Sequence, residues 1–129
     1  MNKIIVEVSV GELLDKISIL EIKQDKIKDP EKIKFINNEY SILKDQLEKN
    51  VKPDDKLNNL YQSLKQINAK LWIIEDDKRQ CEKDKDFSEK FIKLSRDVHF
   101  LNDNRAKIKL EINNHTGSVI KEIKEYTDY

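Results

Sequence analysis

Apolar residues in this chain recur at three- and four-residue spacings, the period that lines them along one face of an α-helix. Ile33, Ile36, Tyr40, Leu43 and Leu47 form an unbroken 3-4-3-4 run. Leu57, Leu60, Leu64, Ile67, Leu71 and Ile74 repeat it, with Cys81 one heptad further on. A third stripe carries Phe87, Phe91, Leu94, Val98, Leu101, Ile108 and Ile112, and a shorter one near the start carries Leu13, Ile17, Leu20 and Ile27. The first residues read differently. Val6, Val8 and Val10 alternate with Glu7 and Ser9, a period of two that predicts a short extended segment. A single strand makes no sheet, so this segment is expected to lie on the helices or to pair with another chain.

Punctuation between the stripes predicts where each helix begins and ends. Ser9-Val10-Gly11-Glu12 has capping-box spacing and opens the first helix. Asp29-Pro30 supplies an N-cap and a first helical residue for the second, which Pro53 and its neighbours terminate. The third helix is read from about Asp54 to Glu82, roughly 43 Å at ~1.5 Å per residue. Asp86-Phe87-Ser88-Glu89 repeats the capping signature before the fourth, and Asn113 to Gly117 carries C-cap chemistry. In residues 118–129, Val119, Ile123 and Tyr126 share one helical side, which leaves open a short fifth helix or a docking segment. Connections this short place successive helices antiparallel. The expected fold is an all-α antiparallel bundle of two helical hairpins with long third and fourth helices, preceded by a short N-terminal extended segment. One domain, 1–129, holds it all.

Composition narrows the function classes. Of 129 residues, 39 are Leu, Ile, Val or Phe, enough to build a core, while two Gly and two Pro argue against a turn-rich β fold. Twenty-five Lys and Arg balance 25 Asp and Glu, so no single-sign field steers the protein to nucleic acid or an anionic membrane. The chain shows no transmembrane run and no secretory leader, and its lone Cys81 fits a reducing compartment, so the expected location is the cytoplasm.

Two charges interrupt the stripes: Lys78 continues the seam of the third helix and Arg105 that of the fourth. A charge facing a core must be paired, unless it snorkels to water near the bundle end. Only three arginines, Arg79, Arg96 and Arg105, stand against 22 lysines, and all three fall on these two helices. Where lysine is the default cation, a retained guanidinium points to bidentate recognition of carboxylate or phosphate. Asn68, Trp72, Glu75 and Arg79 share one face of the third helix; Asn102, Arg105 or Ala106, Lys109 and Asn113 share one of the fourth. A mixed polar surface beside the only Trp can hold an anionic small molecule, whereas the plainer alternative is a solvated face of ion pairs. No cofactor is indicated. Metal ligation is not expected, since Glu111 and His115 alone stand at helical spacing near a helix end. Cys81 has no partner base, and two glycines make no phosphate loop.

The segments Gly11-Glu12-Leu13-Leu14-Asp15-Lys16, Leu20-Glu21-Ile22-Lys23, Leu71-Trp72 with Glu75-Asp76 and Arg79, Asn102-Asp103 with Arg105, and Lys109 with Ile112-Asn113 resemble a family of small helical proteins of unknown function from bacteria and phages. The resemblance spans nearly the whole chain and transfers no activity. It implies that Glu12, Asp15, Lys16, Glu21, Trp72, Glu75, Asp76, Arg79, Asn102, Asp103 and Arg105 match the family's motifs.

Two functions remain. In one, a site for a small phosphorylated or carboxylated metabolite lies between the first, third and fourth helices. There Lys16, Arg79, Arg96 and Arg105 contact the anion, Trp72 forms a wall, and Glu75 and Asp76 act as acid/base or metal-bridging groups, with Asp15, Glu21, Asn102 and Lys109 beside them. Arg105→Lys would then weaken binding and leave stability nearly intact. In the other, the bundle is a non-catalytic adaptor, a homodimer or a docking partner, with Arg105 paired inside the protein.

Overall fold

The computed structural model describes residues 2–129 as four α-helices with no β-strand among them. They are α1 (Val10–Lys26), α2 (Pro30–Asn50), α3 (Asp55–Asp84) and α4 (Glu89–Thr116). The Ser9 hydroxyl accepts the Glu12 amide at 3.0 Å and caps α1, while Asp29 caps α2 with Pro30 in its first position. Asp54 caps α3 through the Leu57 amide at 2.7 Å. Two boundaries differ from the sequence reading. Val10 is the first residue of α1 and no part of the extended segment. The cap of α4 is Ser88, not Asp86, whose carboxylate accepts the Ser88 amide at 3.0 Å and shapes the preceding turn. Gly117 closes α4 at φ 67°, a left-handed conformation that glycine adopts without steric cost.

α1 is the hub. It touches α2, α3 and α4; α3 and α4 pair with each other, and α2 leans on α1 alone. Bonds across the interfaces give the directions. Gly11 meets Asn113 and Asp15 meets Arg105, so α1 runs antiparallel to α4; Glu21 meets Tyr40, so it runs antiparallel to α2. Asp54 lies 2.8 Å from the His115 ring, which ties the start of α3 to the end of α4. The core gathers Leu14, Leu57, Leu64 and Ile112, with Val10, Leu47, Val51 and Ile108 against them. Cys81 is buried on α3.

Close approach sets how α1 sits on α4. A Cβ on Gly11 would stand 2.6 Å from the Lys109 carbonyl oxygen, so only glycine lets the two backbones meet at this point. The expected single stripe on α1 is incomplete: Ile27 is its half-exposed C-cap, whereas Leu14, Ser18 and Ile22 on its other sides are buried. The N-terminal segment forms no strand and lies on no helix, with Ile4 86% and Ile5 82% exposed. Residues 118–129 form no helix.

Candidate functional site

Asp15 is the centre of the polar arrangement. It sits on α1, 1% exposed, where an isolated carboxylate would be costly to bury. Three side chains from the long helices, Arg105, Asn68 and Lys109, offset that cost. Arg105 grips it with a two-pronged fork, Nε–H donating at 2.9 Å and a terminal N–H to the other oxygen. Asn68 donates at 2.8 Å, and the Lys109 ammonium stands at 3.4 Å. The same Asn68 amide donates to Ser18 Oγ at 2.8 Å, whose hydroxyl donates to the Asp15 carbonyl. Burial alone would push the Asp15 carboxyl up, but the Arg105 and Asn68 hydrogen bonds and the two cations outweigh it and hold it below the usual carboxylate range. The Asp15 hydrogen bonds in turn push the Arg105 guanidinium further up. Lys109, 14% exposed at its side chain, also donates to Glu12 at 2.7 Å. No buried side-chain nitrogen or oxygen among the described residues is left without a partner.

Arg105 therefore belongs to the fold and still faces outward. A guanidinium carries five N–H donors, of which Asp15 takes two. The side chain lines a recess of about 450 Å³ between α1, α3 and α4. Trp72, Glu75, Asp76 and Arg79 of α3 and Asn102 of α4 line the same recess, with Ile19, Ile22 and Leu71 as its apolar floor. Among the described residues Glu75, Asp76 and Arg79 enter no ion pair within the protein, and all three are exposed where they line the recess. Six of the residues singled out from sequence thus converge on one hollow, and Asp15 braces it from behind.

The remaining candidates lie elsewhere. Arg96 packs over Phe100 at 5.7 Å in a separate hollow with Phe91 and His99, because at roughly 100° per residue it stands on the opposite side of α4 from Arg105. Lys16 is exposed and 3.8 Å from Glu12, one turn away on its own helix. Glu21 points to the other side of α1. It accepts hydrogen bonds from Tyr40 at 3.1 Å and from Tyr61, with Lys65 at 3.5 Å, and so ties α1 to α2 and α3. Burial first, then Glu21, pushes both phenols above their usual range. Lys109 lines a smaller neighbouring recess. Lys78, the other seam charge, is half-buried with its ammonium 5.9 Å over the Phe91 ring.

Sequence reasoning named Asp15 and Arg105 separately and missed that they pair. It left out Ser18, and it named Gly11 and Asn113 without pairing them, although Asn113 accepts the Gly11 amide at 2.7 Å inside the helix interface. The signal available was the 4-3-4 spacing of Gly11, Asp15, Ser18 and Ile22, a second face of small and apolar residues that carries one carboxylate. The expectation that Arg105→Lys spares stability is corrected: lysine loses one prong of a buried bidentate pair. Among the described residues no three His, Cys, Asp or Glu side chains converge as metal ligands would. No helix among them is long and apolar enough to cross a membrane.

A family model, described as a family of unknown function (DUF6165), matches residues 4–128. No curated protein and no solved structure matches the chain.

Proposed function

We propose, for a chain that belongs to the DUF6165 family and takes no activity from it, that the recess between α1, α3 and α4 binds a small phosphorylated or carboxylated metabolite. The observation that carries this reading is the convergence of Trp72, Glu75, Asp76, Arg79, Asn102 and Arg105 on one hollow from two different helices. Arg79 and the free donors of Arg105 take the anionic group, the indole packs against the body of the ligand, and Glu75 and Asp76 accept from its hydroxyl or amine donors. The Asp15 brace fixes the Arg105 fork before any ligand arrives, which lowers the ordering cost of binding. Glu75 and Asp76 are also the groups placed to move a proton, should a reaction follow. The free thiol of Cys81 and the absence of net charge support a cytoplasmic protein that avoids nucleic acid.

Trp72 is the only tryptophan, so its fluorescence reads the recess directly. Titration with nucleoside mono- and diphosphates, sugar nucleotides and dicarboxylates is expected to give saturable quenching by one class, with Kd at or below about 1 mM. Arg79→Lys, on an exposed side chain, should weaken that binding about tenfold, roughly one bidentate contact, without moving the melting temperature. No saturable response to any member of the panel, with Arg79→Lys indistinguishable from the parent, overturns the reading.

A second reading, the homodimeric adaptor, is favoured by the bare apolar run Ile4, Ile5, Val6 and by the pairing of Arg105 inside the protein. Light scattering that stays monomeric at all concentrations removes its self-association form.

A further inference from the structure

Beside the Trp72 recess lies a smaller one of about 230 Å³, and Arg105 and Asn102 form the wall between them. Lys109 and Asn113 of α4 line its floor; Glu122, Ile123 and Lys124 of the C-terminal segment lie across it. That segment leaves α4 at Gly117 and folds back along the helix, tied at three points. At the first, Ser118 donates its amide to the Asn113 carbonyl at 2.9 Å and accepts the Val10 amide on its hydroxyl at 3.1 Å. At the second, the Glu122 carboxylate stands 3.9 Å from Lys109. At the third, the Tyr129 hydroxyl donates to Asp103 while its ring lies 4.9 Å from His99 and 5.6 Å from Phe100. Between these ties little is buried: Ile123 is 77% and Tyr126 67% exposed, and no helix or sheet ladder holds the backbone.

The charges around Lys109 are of two kinds. Glu12 and Asp15 come from α1 and are built into the interface. Glu122 comes from the loosely held segment and is half-exposed. The start of α1 offers an anion no free amide here, because its first amides already donate to Ser118, Asn113 and Ser9. Any anion entering here meets Arg105, Lys107, Lys109 and Lys124, and it meets Glu122 at 3.9 Å from Lys109 and 3.4 Å from Lys124.

We infer that this smaller recess is a second anion subsite of the metabolite site, beyond the position at Arg79, and that Glu122 is its resident carboxylate, an internal competitor that a second phosphate or carboxylate of a ligand must displace. The inference rests on the reading of the Trp72 recess given above and adds where a second charged group of the ligand goes. Displacement is cheap for the protein, since a 3.9 Å ion pair whose carboxylate is half-exposed on a poorly packed segment contributes little and the segment regains conformational freedom when released. For the ligand, Glu122 is a like charge at contact distance from its own cation. The segment thereby sets the affinity of the site.

The test uses inorganic phosphate as probe and backbone amide chemical shifts of residues 105–118 as readout, on the full chain. Glu122→Gln should bind phosphate about fivefold more tightly than the parent, the scale of one partly screened charge pair. Tyr129→Ala, which frees the far tie, should tighten binding by a smaller factor. Glu125→Gln, the same charge change on the same segment but outside the recess, should leave affinity unchanged. Equal affinity for parent and Glu122→Gln, equal tightening by Glu125→Gln, or no phosphate binding by Glu122→Gln each overturns the inference. The reading of the larger recess is judged separately by Trp72 fluorescence, which responds to its own panel whether or not phosphate enters the smaller one.

Discussion

α1 and α2 look alike in sequence and play opposite parts in the fold. Each is an amphipathic helix opened by a side-chain cap, and α2 has the cleaner periodicity. Yet α1 buries eight residues, Gly11, Leu13, Leu14, Asp15, Ile17, Ser18, Leu20 and Ile22, whereas α2 buries Ile36 alone. The difference is one of neighbours. α1 is covered on three sides, so even its polar positions lie in the interior and must find partners; α2 has one helix beside it, so its stripe is half wet. Periodicity reports which face a helix prefers to bury, and the number of helices around it decides how much becomes buried. An Asp on a three-sided helix thus becomes the organising charge of a site, while Glu and Lys at similar spacing on α2 remain at the surface.

Substitutions on the two helices should separate accordingly. Asp15→Ala removes the acceptor of the Arg105 fork and leaves a partly buried guanidinium and the Lys109 ammonium with less compensation. Urea denaturation should show a loss of about 3–5 kcal/mol, and a loss under 1 would mean that the pair is not part of the folding balance. Gly11→Ala is next. Its methyl group collides with the Lys109 carbonyl, a backbone atom that cannot swing away, so α1 must back off α4 at a cost of about 1–3 kcal/mol. Unchanged stability would show that the helices are not in contact there.

Acid sharpens the same contrast. The Asp15 pKa is lowered in the folded protein, so the unfolded chain binds the extra proton first as pH falls. The stabilisation from its ionised form is whole above the ordinary carboxyl value of about 3.9 and is lost as pH drops through the lower folded value. The gap in stability between the parent and Asp15→Asn should therefore be constant near neutrality and shrink below about pH 3.9. A gap that instead opened on acidification would reverse the assigned sign. The smallest effect belongs to α2: Phe35→Ser, on a side chain 76% exposed, should stay within about 0.5 kcal/mol of the parent. A larger loss would show that something covers α2 in solution.

The helices themselves were legible because helix formation is largely local. Ser9, Asp29-Pro30, Asp54 and Gly117 act within one turn of their own position, and the 3-4 spacing of Leu57 to Ile74 needs no knowledge of the partner. The Trp72, Glu75 and Arg79 face of α3 and the Asn102 and Arg105 face of α4 were legible for the same reason, and the short α3–α4 connection set them opposite each other. Glu21 and Arg96 went astray because they were grouped by residue type and not by helical phase: at roughly 100° per residue Glu21 stands about 120° around α1 from Asp15 and Arg96 about 180° around α4 from Arg105, so each faces another groove.

By itself, then, the order of residues determined four capped helices, an antiparallel arrangement and two polar faces, since each depends on neighbours within a few positions or on the length of a connection. Tertiary structure alone decided that α1 lies at the centre, that Asp15 holds Arg105, and that Glu122 reaches Lys109. Those are encounters between residues about ninety and thirteen positions apart. Their geometry is set by how whole helices and an extended strap pack, through Gly11 at one crossing and the turn at Gly117, and no local spacing records it.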